Sequence, residues 1–201
     1  MPAITISREM GSLGTAIARS VAESLGYRVM GYEVINEAAA RSGTPEMALA
    51  ALDDLDLLGL KPSFRQRQAY HRGVRQVMLE QAAEGDVVLV GRGGQVILQD
   101  CRDVLHVRVV APLALRIERV AAAQSIPLAA ARAQVSASDR ARRSYLRRYY
   151  HVNLNDIGLY DLVLNTRGLT VAAAADVLVQ AWSQHQSLHG HERTELLERP
   201  R

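Results

Sequence analysis

Apolar residues fall along this chain in short β-branched runs, separated by longer stretches of helical period. The runs 3–6, 27–30, 87–90, 104–110 and 160–164 read as strands, and Val87-Val88-Leu89-Val90 has the unbroken apolar character of a parallel strand covered on both faces. Residues 16–25, closed by Gly26, read as a helix, as do 33–41, 62–84, a segment opened by Pro112 through Arg116 and Arg119, 127–150 and 171–182. Residues 45–60, apolar with Asp53, Asp54 and Asp56 as punctuation, read as a short helix and a crossing. Strands alternating with helices require parallel crossovers, so the predicted class is α/β: a three-layer α/β/α sandwich on a five-stranded parallel sheet.

The first strand leads through Ser7-Arg8-Glu9-Met10-Gly11-Ser12-Leu13-Gly14-Thr15 into the first helix. Strand, glycine-bearing turn and helix form the frame of a phosphate-cradling loop, since glycines let the backbone approach an anion that the N–H groups of a helix start then face. The lysine of a full G-x-x-x-x-G-K-[ST] loop is missing: Leu13 stands there, and the only lysine in the chain is Lys61. Positive charge on a phosphate must come from the 23 arginines. An ordinary strand-to-helix turn remains the alternative. Gly91-Arg92-Gly93-Gly94, at the end of the third strand, is a second glycine-rich turn and carries an arginine. Two such turns at the carboxyl ends of strands can frame one anion site.

The 201 residues, 48% hydrophobic, suit one domain with a real core. Neither a long apolar run nor a leader is read, so the expected setting is cytoplasmic, away from membranes. A single cysteine, Cys101, excludes an internal disulfide, and His185, His189 and His191 lack metal-site spacing. The net charge is only +3, but Arg132, Arg140, Arg142, Arg143, Arg147 and Arg148 face a single carboxylate, Asp139. Such a cluster can bind nucleic acid, close over a phosphorylated ligand or solvate a helix. Few aromatics argue against a base-stacking platform for single strands. Tyr32 and Glu33 follow a strand's carboxyl end; helical spacing sets Arg72 roughly beside Arg65 and Tyr70, and Asp139, Arg142 and Tyr145 along one side.

Together these pieces resemble the cytidylate kinase-like family, a branch of the P-loop nucleoside monophosphate kinases. The resemblance runs from Ile4 to about Leu178. It rests on Ile4-Thr5-Ile6-Ser7-Arg8 with Gly11-Ser12 and Gly14, Ile35 with Glu37-Ala38-Ala39, Val88 to Arg92, and Ala111-Pro112-Leu113 with Arg116-Ile117-Glu118-Arg119-Val120. Asp139, Arg142 and Tyr145, then Tyr160-Asp161-Leu162 with Asn165-Thr166, complete it.

The resemblance implies a P-loop NTPase-like domain over residues 1–184, with a helical lid at about 125–158, an acceptor region at about 31–84 and a flexible tail at 185–201. It implies transfer of the γ-phosphoryl of ATP, with Mg²⁺, to CMP or a similar small phosphorylated acceptor. Gly11, Ser12, Leu13, Gly14 and Thr15, with Arg116 and Arg119, would hold the donor. Arg8, Arg92, Arg142 and Asp139 would act on the reacting phosphates. Tyr32, Glu33, Arg72, Arg92 and Tyr145 would hold the acceptor. Two departures stand out: Leu13 where relatives usually carry glycine, and Gly31-Tyr32 where they tend to carry Asp-Arg, so the acceptor need not be CMP. Gly91 stands where many P-loop enzymes keep a metal-orienting aspartate, so no protein metal ligand is expected and magnesium would rest on nucleotide oxygens and water. The alternatives are a kinase for a metabolite hydroxyl, with Glu33 or Asp139 as base, and a non-catalytic nucleotide-binding module. Nucleic acid ranks last as a partner, and the oligomeric state, homodimer included, is open.

Overall fold

A computed structural model describes residues 2–41, 43 and 63–189, with the side chains of residues 64, 67 and 189 set aside. Lys61 and the expected helix and crossing at 45–60 lie outside these residues. The elements are β1 (Ala3–Arg8), α1 (Gly14–Leu25), β2 (Arg28–Met30), α2 (Tyr32–Arg41), α3 (Phe64–Glu84), β3 (Val87–Val90) and α4 (Gly94–Ile97). They continue with β4 (Val104–Val110), α5 (Leu113–Gln124), α6 (Leu128–Tyr150), β5 (Leu162–Asn165) and α7 (Val171–His189), with 3₁₀ turns at Ile157–Leu159 and Thr166–Gly168. All five strands are parallel, in the order β2-β3-β1-β4-β5.

Side chains alternate across each strand, and that alternation builds the layers. On one face Ile4, Ile6, Val88, Val90, Leu105, Val107 and Val109 pack with Ile17 and Val21 of α1 and with Ala174, Leu178 and Trp182 of α7. On the other, Ala3, Val87, Leu89 and Val104 pack with Val34, Ile35 and Ala38 of α2 and with Tyr70, Val74, Val77 and Met78 of α3. A smaller core, Ile117, Val120, Ala131 and Val135, joins α5 to α6, and Met10 of the first loop packs against it. That pair of helices is therefore anchored to the loop from the start.

Most boundaries differ from the sequence expectation by a residue or two, β5 for one running Leu162–Asn165 rather than 160–164, and three differences have a visible cause. β1 extends to Arg8 because its pairing with β4 continues to Arg8 opposite Val109. α3 starts at Phe64, after a capping box in which Ser63 Oγ accepts from the Gln66 N–H and the Gln66 side chain accepts from the Ser63 N–H. The last helix, expected to stop near Trp182 with a frayed tail from Gln184, continues to His189: Trp182 packs edge-on to Tyr27 and stacks on His185.

The face of the sheet toward α3 carries a buried polar pair. His106 of β4 sits 2.7 Å from Thr5 Oγ1 through Nδ1 and 3.3 Å from the Leu98 carbonyl through Nε2. The carbonyl can only accept, so Nε2 carries the proton and Nδ1 accepts from the threonine hydroxyl. Burial pushes the imidazole below its ordinary value, against opposing pulls from Asp161 and the Leu98 carbonyl. Below that ordinary value of about 6.5 the unfolded chain takes up a proton that the folded chain refuses, so stability present at neutral pH is lost on acidification. The expected outcome is a denaturation midpoint that falls from about pH 7 to pH 5, and falls less steeply in His106→Gln. Equal slopes in the two proteins would assign the effect to another group.

Candidate active site

The site lies at the carboxyl end of the sheet, where β1 and β3 both finish in glycine-bearing turns. After β1 the chain turns at Gly11, with φ 79°, and again at Leu13, with φ 66°. The left-handed region costs a residue with a Cβ about 1–2 kcal/mol, which is a physical reason for glycine to be usual there. Leu13 offsets the strain by packing against the Ile4 and Ile6 core, so its side chain serves the fold. A Cβ on Gly11 would lie 2.5 Å from the Arg116 carbonyl oxygen, so the loop and α5 touch backbone to backbone. The Ser12 N–H donates back to the Glu9 carbonyl, 3.2 Å away. α1 then starts without a side-chain cap, and Thr15 is exposed in its first turn.

The second turn is the more contorted. Gly91, Arg92 and Gly93 have φ of 81°, 57° and 78°, three left-handed residues in succession with one arginine between two glycines. Only the glycines take that region freely, so Arg92 holds a strained backbone that fixes where its side chain departs. Arg8 ties the two turns together. A Cβ on Gly14 would lie 2.5 Å from Arg8 Cβ, and one on Gly91 would lie 2.3 Å from Arg8 Nη1. The side chain therefore starts beside the first turn and ends against the second.

Behind the first loop is a network of buried arginines. Arg116, 5% exposed, holds Asp139 of α6 in a fork, Nη1 to Oδ1 at 3.0 Å and Nη2 to Oδ2 at 2.9 Å. Its Nε donates to the Ala111 carbonyl at 3.1 Å and lies 3.3 Å from Glu9 Oε2, and Nη1 also reaches the Met10 carbonyl. Glu9 Oε2 accepts from the Ala111 N–H, and Glu9 Oε1 lies 3.5 Å from Arg108. Arg108 in turn donates to Ser7 Oγ and Asn155 Oδ1 and lies over the ring of Tyr160. Arg119 donates to Thr166 Oγ1 and the Thr166 carbonyl, and the Thr166 hydroxyl donates to the Ser12 carbonyl. Arg116 and Arg119, expected on the donor nucleotide, thus grip the loop's own carbonyls.

Helix α6, in the stretch expected to be a lid, meets the second turn at its carboxyl end. A Cβ on Gly93 would lie 2.8 Å from the Tyr150 ring and 3.3 Å from the Leu146 side chain. Tyr145 and Tyr149 pack on His71 of α3, and Tyr145 also meets the ring of Tyr150. Arg142, half-buried, lies one helical turn before Leu146, whereas Arg140, Arg143, Arg147 and Arg148 are exposed. Burial pushes the Tyr145 hydroxyl well above its ordinary pKa, raises that of Tyr150, and pushes Tyr70 up to about 12; the Arg92 guanidinium pulls all three the other way.

Arg8 spans the two turns, the Arg92 charge is felt at the Tyr145 hydroxyl, and Arg142 is one helical turn from Leu146, which lies against Gly93. Tyr32 is 53% exposed, Arg72 faces outward on α3, and Glu33 accepts a hydrogen bond from the Gly31 N–H at 2.8 Å. Asp139 is on the far side of the first loop, bound to Arg116. Sequence reasoning passed over Glu9, Arg108 and Thr166, which position the loop, and Tyr150, which covers Gly93. The tandem Tyr149-Tyr150 at the end of a helix was the available signal for the last. Among the described residues no group of three or more His, Cys, Asp or Glu could hold a metal, and no helix is long and apolar enough to cross a membrane.

Comparison with known proteins agrees with this geometry. Similarity to a cytidylate kinase of Methanopyrus kandleri is 32% identity, covering 81% of this chain and 83% of that one. A uronate isomerase of Corynebacterium glutamicum is 27% identical over 78% of this chain, which spans 30% of that protein's length. Among solved structures, an uncharacterized protein from Eubacterium ventriosum superimposes with a TM-score of 0.72 at 19% identity, over 91% of this chain and 99% of that one. A shikimate kinase from Acinetobacter baumannii has a TM-score of 0.53 at 15% identity, covering 92% and 95% of the two chains, a likeness of fold. The model of the cytidylate kinase-like family matches residues 3–168, and with the five-stranded parallel sheet and its two strand-end turns this shows that the chain belongs to that family.

Proposed function

We propose that the chain moves the γ-phosphoryl group of ATP, as its magnesium complex, to a CMP-like nucleotide or another small phosphorylated acceptor. The observation that carries this reading is Arg8 bridging the two turns, with Arg92 held on strained backbone beside it. Phosphoryl transfer needs in-line placement and neutral surroundings for the equatorial oxygens, and convergent guanidiniums supply both. The donor phosphates would lie at the uncapped start of α1, with the Thr15 hydroxyl available to them. The acidic groups beside the first loop, Glu9 and Asp139, are committed to arginines, which fits a magnesium ion carried by phosphate oxygens and water. When bound, that ion would screen the β and γ oxygens.

In the step itself an acceptor phosphate oxygen attacks the γ-phosphorus, a new O–P bond forms, the β–γ bridging bond breaks, and its electron pair leaves on the β-phosphate of ADP. An ionised acceptor needs no base. This favours a phosphate acceptor over a hydroxyl one, since Asp139 has both oxygens in the Arg116 fork and Glu33 caps a backbone N–H. Leu13, partly buried against the core, supports a loop that leaves room for a phosphate.

The first test is a screen of nucleoside monophosphates for ADP release from ATP and Mg²⁺. Turnover with one of them supports the proposal, and ATP binding with no release on any would replace it with the module. Arg92→Ala should raise the acceptor KM by about 10- to 100-fold, the value of a charge-assisted hydrogen bond, and leave the ATP KM nearly unchanged. Arg142→Ala should lower kcat on the order of 10³-fold with little effect on ATP affinity, and equal loss of both substrates in either variant would contradict these roles. Asp139→Ala strands Arg116 and should cost about 3 kcal/mol in urea denaturation. A carboxylate acting as base would instead lower kcat with stability intact.

A further inference from the structure

Between α3, α6 and the second turn is a set of groups that neither the loop nor the network of arginines uses. Tyr70 of α3 is 2% exposed, and its hydroxyl is withdrawn from solvent with no hydrogen-bond partner. The hydroxyls of Tyr145 and Tyr150, from α6, are likewise withdrawn from solvent, and they interact with each other. The His71 ring stands between the Tyr70 and Tyr145 rings, edge-on to the first and tilted against the second. Tyr150 closes over Gly93, the neighbour of Arg92. The charge that all three hydroxyls feel is the Arg92 guanidinium, and Tyr150 also feels Arg75.

A buried phenol without a partner forfeits its hydration, and such a group in a native structure calls for a reason, of which a bound ligand's oxygen is one. The ring of Tyr70 fills core space as phenylalanine would, so the hydroxyl is the part that needs a reason. We propose that Tyr70, Tyr145 and Tyr150, with Arg92, form the pocket for the acceptor's phosphate group, which accepts hydrogen bonds from their hydroxyls. The pocket rests on the phosphoryl-transfer reading above and names the acceptor class: a phosphomonoester, recognised by its oxygens. Burial holds the three phenols protonated at neutral pH, so they serve as neutral donors. Neutral hydroxyls orient an oxyanion while drawing less charge from it than a further guanidinium would. An attacking oxygen keeps its nucleophilicity in such surroundings.

Tyr70→Phe tests the pocket in the full-length chain, with Tyr145→Phe as the second variant. Binding of CMP, inorganic phosphate, cytidine and ATP is measured by calorimetry, beside the melting temperature of the free protein. CMP and phosphate should each bind about tenfold more weakly to Tyr70→Phe, the worth of a hydrogen bond to a charged group, with ATP binding unchanged and the melting temperature equal or higher. Any cytidine binding should be untouched. Unchanged CMP and phosphate affinity in both variants, or no binding of either probe by the wild type, overturns the pocket. Normal wild-type turnover with an unaltered acceptor KM in the variants sinks the pocket and leaves the kinase reading standing. Tyrosine-dependent phosphate binding without any ADP release does the reverse.

Discussion

A single buried guanidinium holds the carboxyl end of the sheet and its loops together. Arg116 grips Asp139 on α6, the Met10 carbonyl in the first loop and the Ala111 carbonyl at the end of β4, with Glu9 beside it. Breaking such a pair on one side leaves a charge in a medium that cannot solvate it, so the loop, the end of β4 and α6 are constrained to stay neighbours. Gly11 makes the constraint tighter, because the loop backbone lies where a side chain would strike Arg116. Arg119 and Thr166 repeat the device one helical turn on. The loop's carbonyls are turned inward onto arginines, which favours presenting its opposite side to an anion.

In a chain almost without lysine, ten of the arginines fall into three groups around the two turns and α6. Arg108, Arg116 and Arg119 are structural cations inside the protein, each pinned by carbonyls, hydroxyls or carboxylates. Arg8, Arg92 and Arg142 belong to the two turns and the lid, and they are the charges our reading assigns to phosphates. Arg140, Arg143, Arg147 and Arg148 are exposed on α6. The first population is possible because a planar fork meets several acceptors at once, which an ammonium on a flexible stem does less well.

Much of the fold was legible in the sequence because it follows from local pattern. The unbroken Val87-Val88-Leu89-Val90 run and the alternation of Ile4 and Ile6 with Ala3 and Thr5 predict a sheet covered on both faces, and the two cores show it. The strand-end turns were visible as glycines. Partners were not visible, because a pairing such as Arg116 with Asp139, 23 residues apart, depends on how α5 and α6 fold back on each other. Asp139 read as an available base for the same reason, and Leu13 read only as a departure from glycine, because neither its left-handed backbone nor its packing against the core leaves a trace in residue type. Tyr70 shows the converse, since a residue that looks like one polar group among many on α3 proves to face inward, 2% exposed.

Gly93 deserves its place for what it keeps out. The Tyr150 ring occupies the volume of the methyl group that alanine would bring there, and the left-handed backbone adds its own objection. Even the smallest branch at this position would act as a doorstop under α6, propping the aromatic end of the helix away from the turn while both cores stayed intact. Such a molecule would keep its sheet and lose the seat of α6 on the second turn, so the close approach of helix and turn is a property that one hydrogen atom at residue 93 permits.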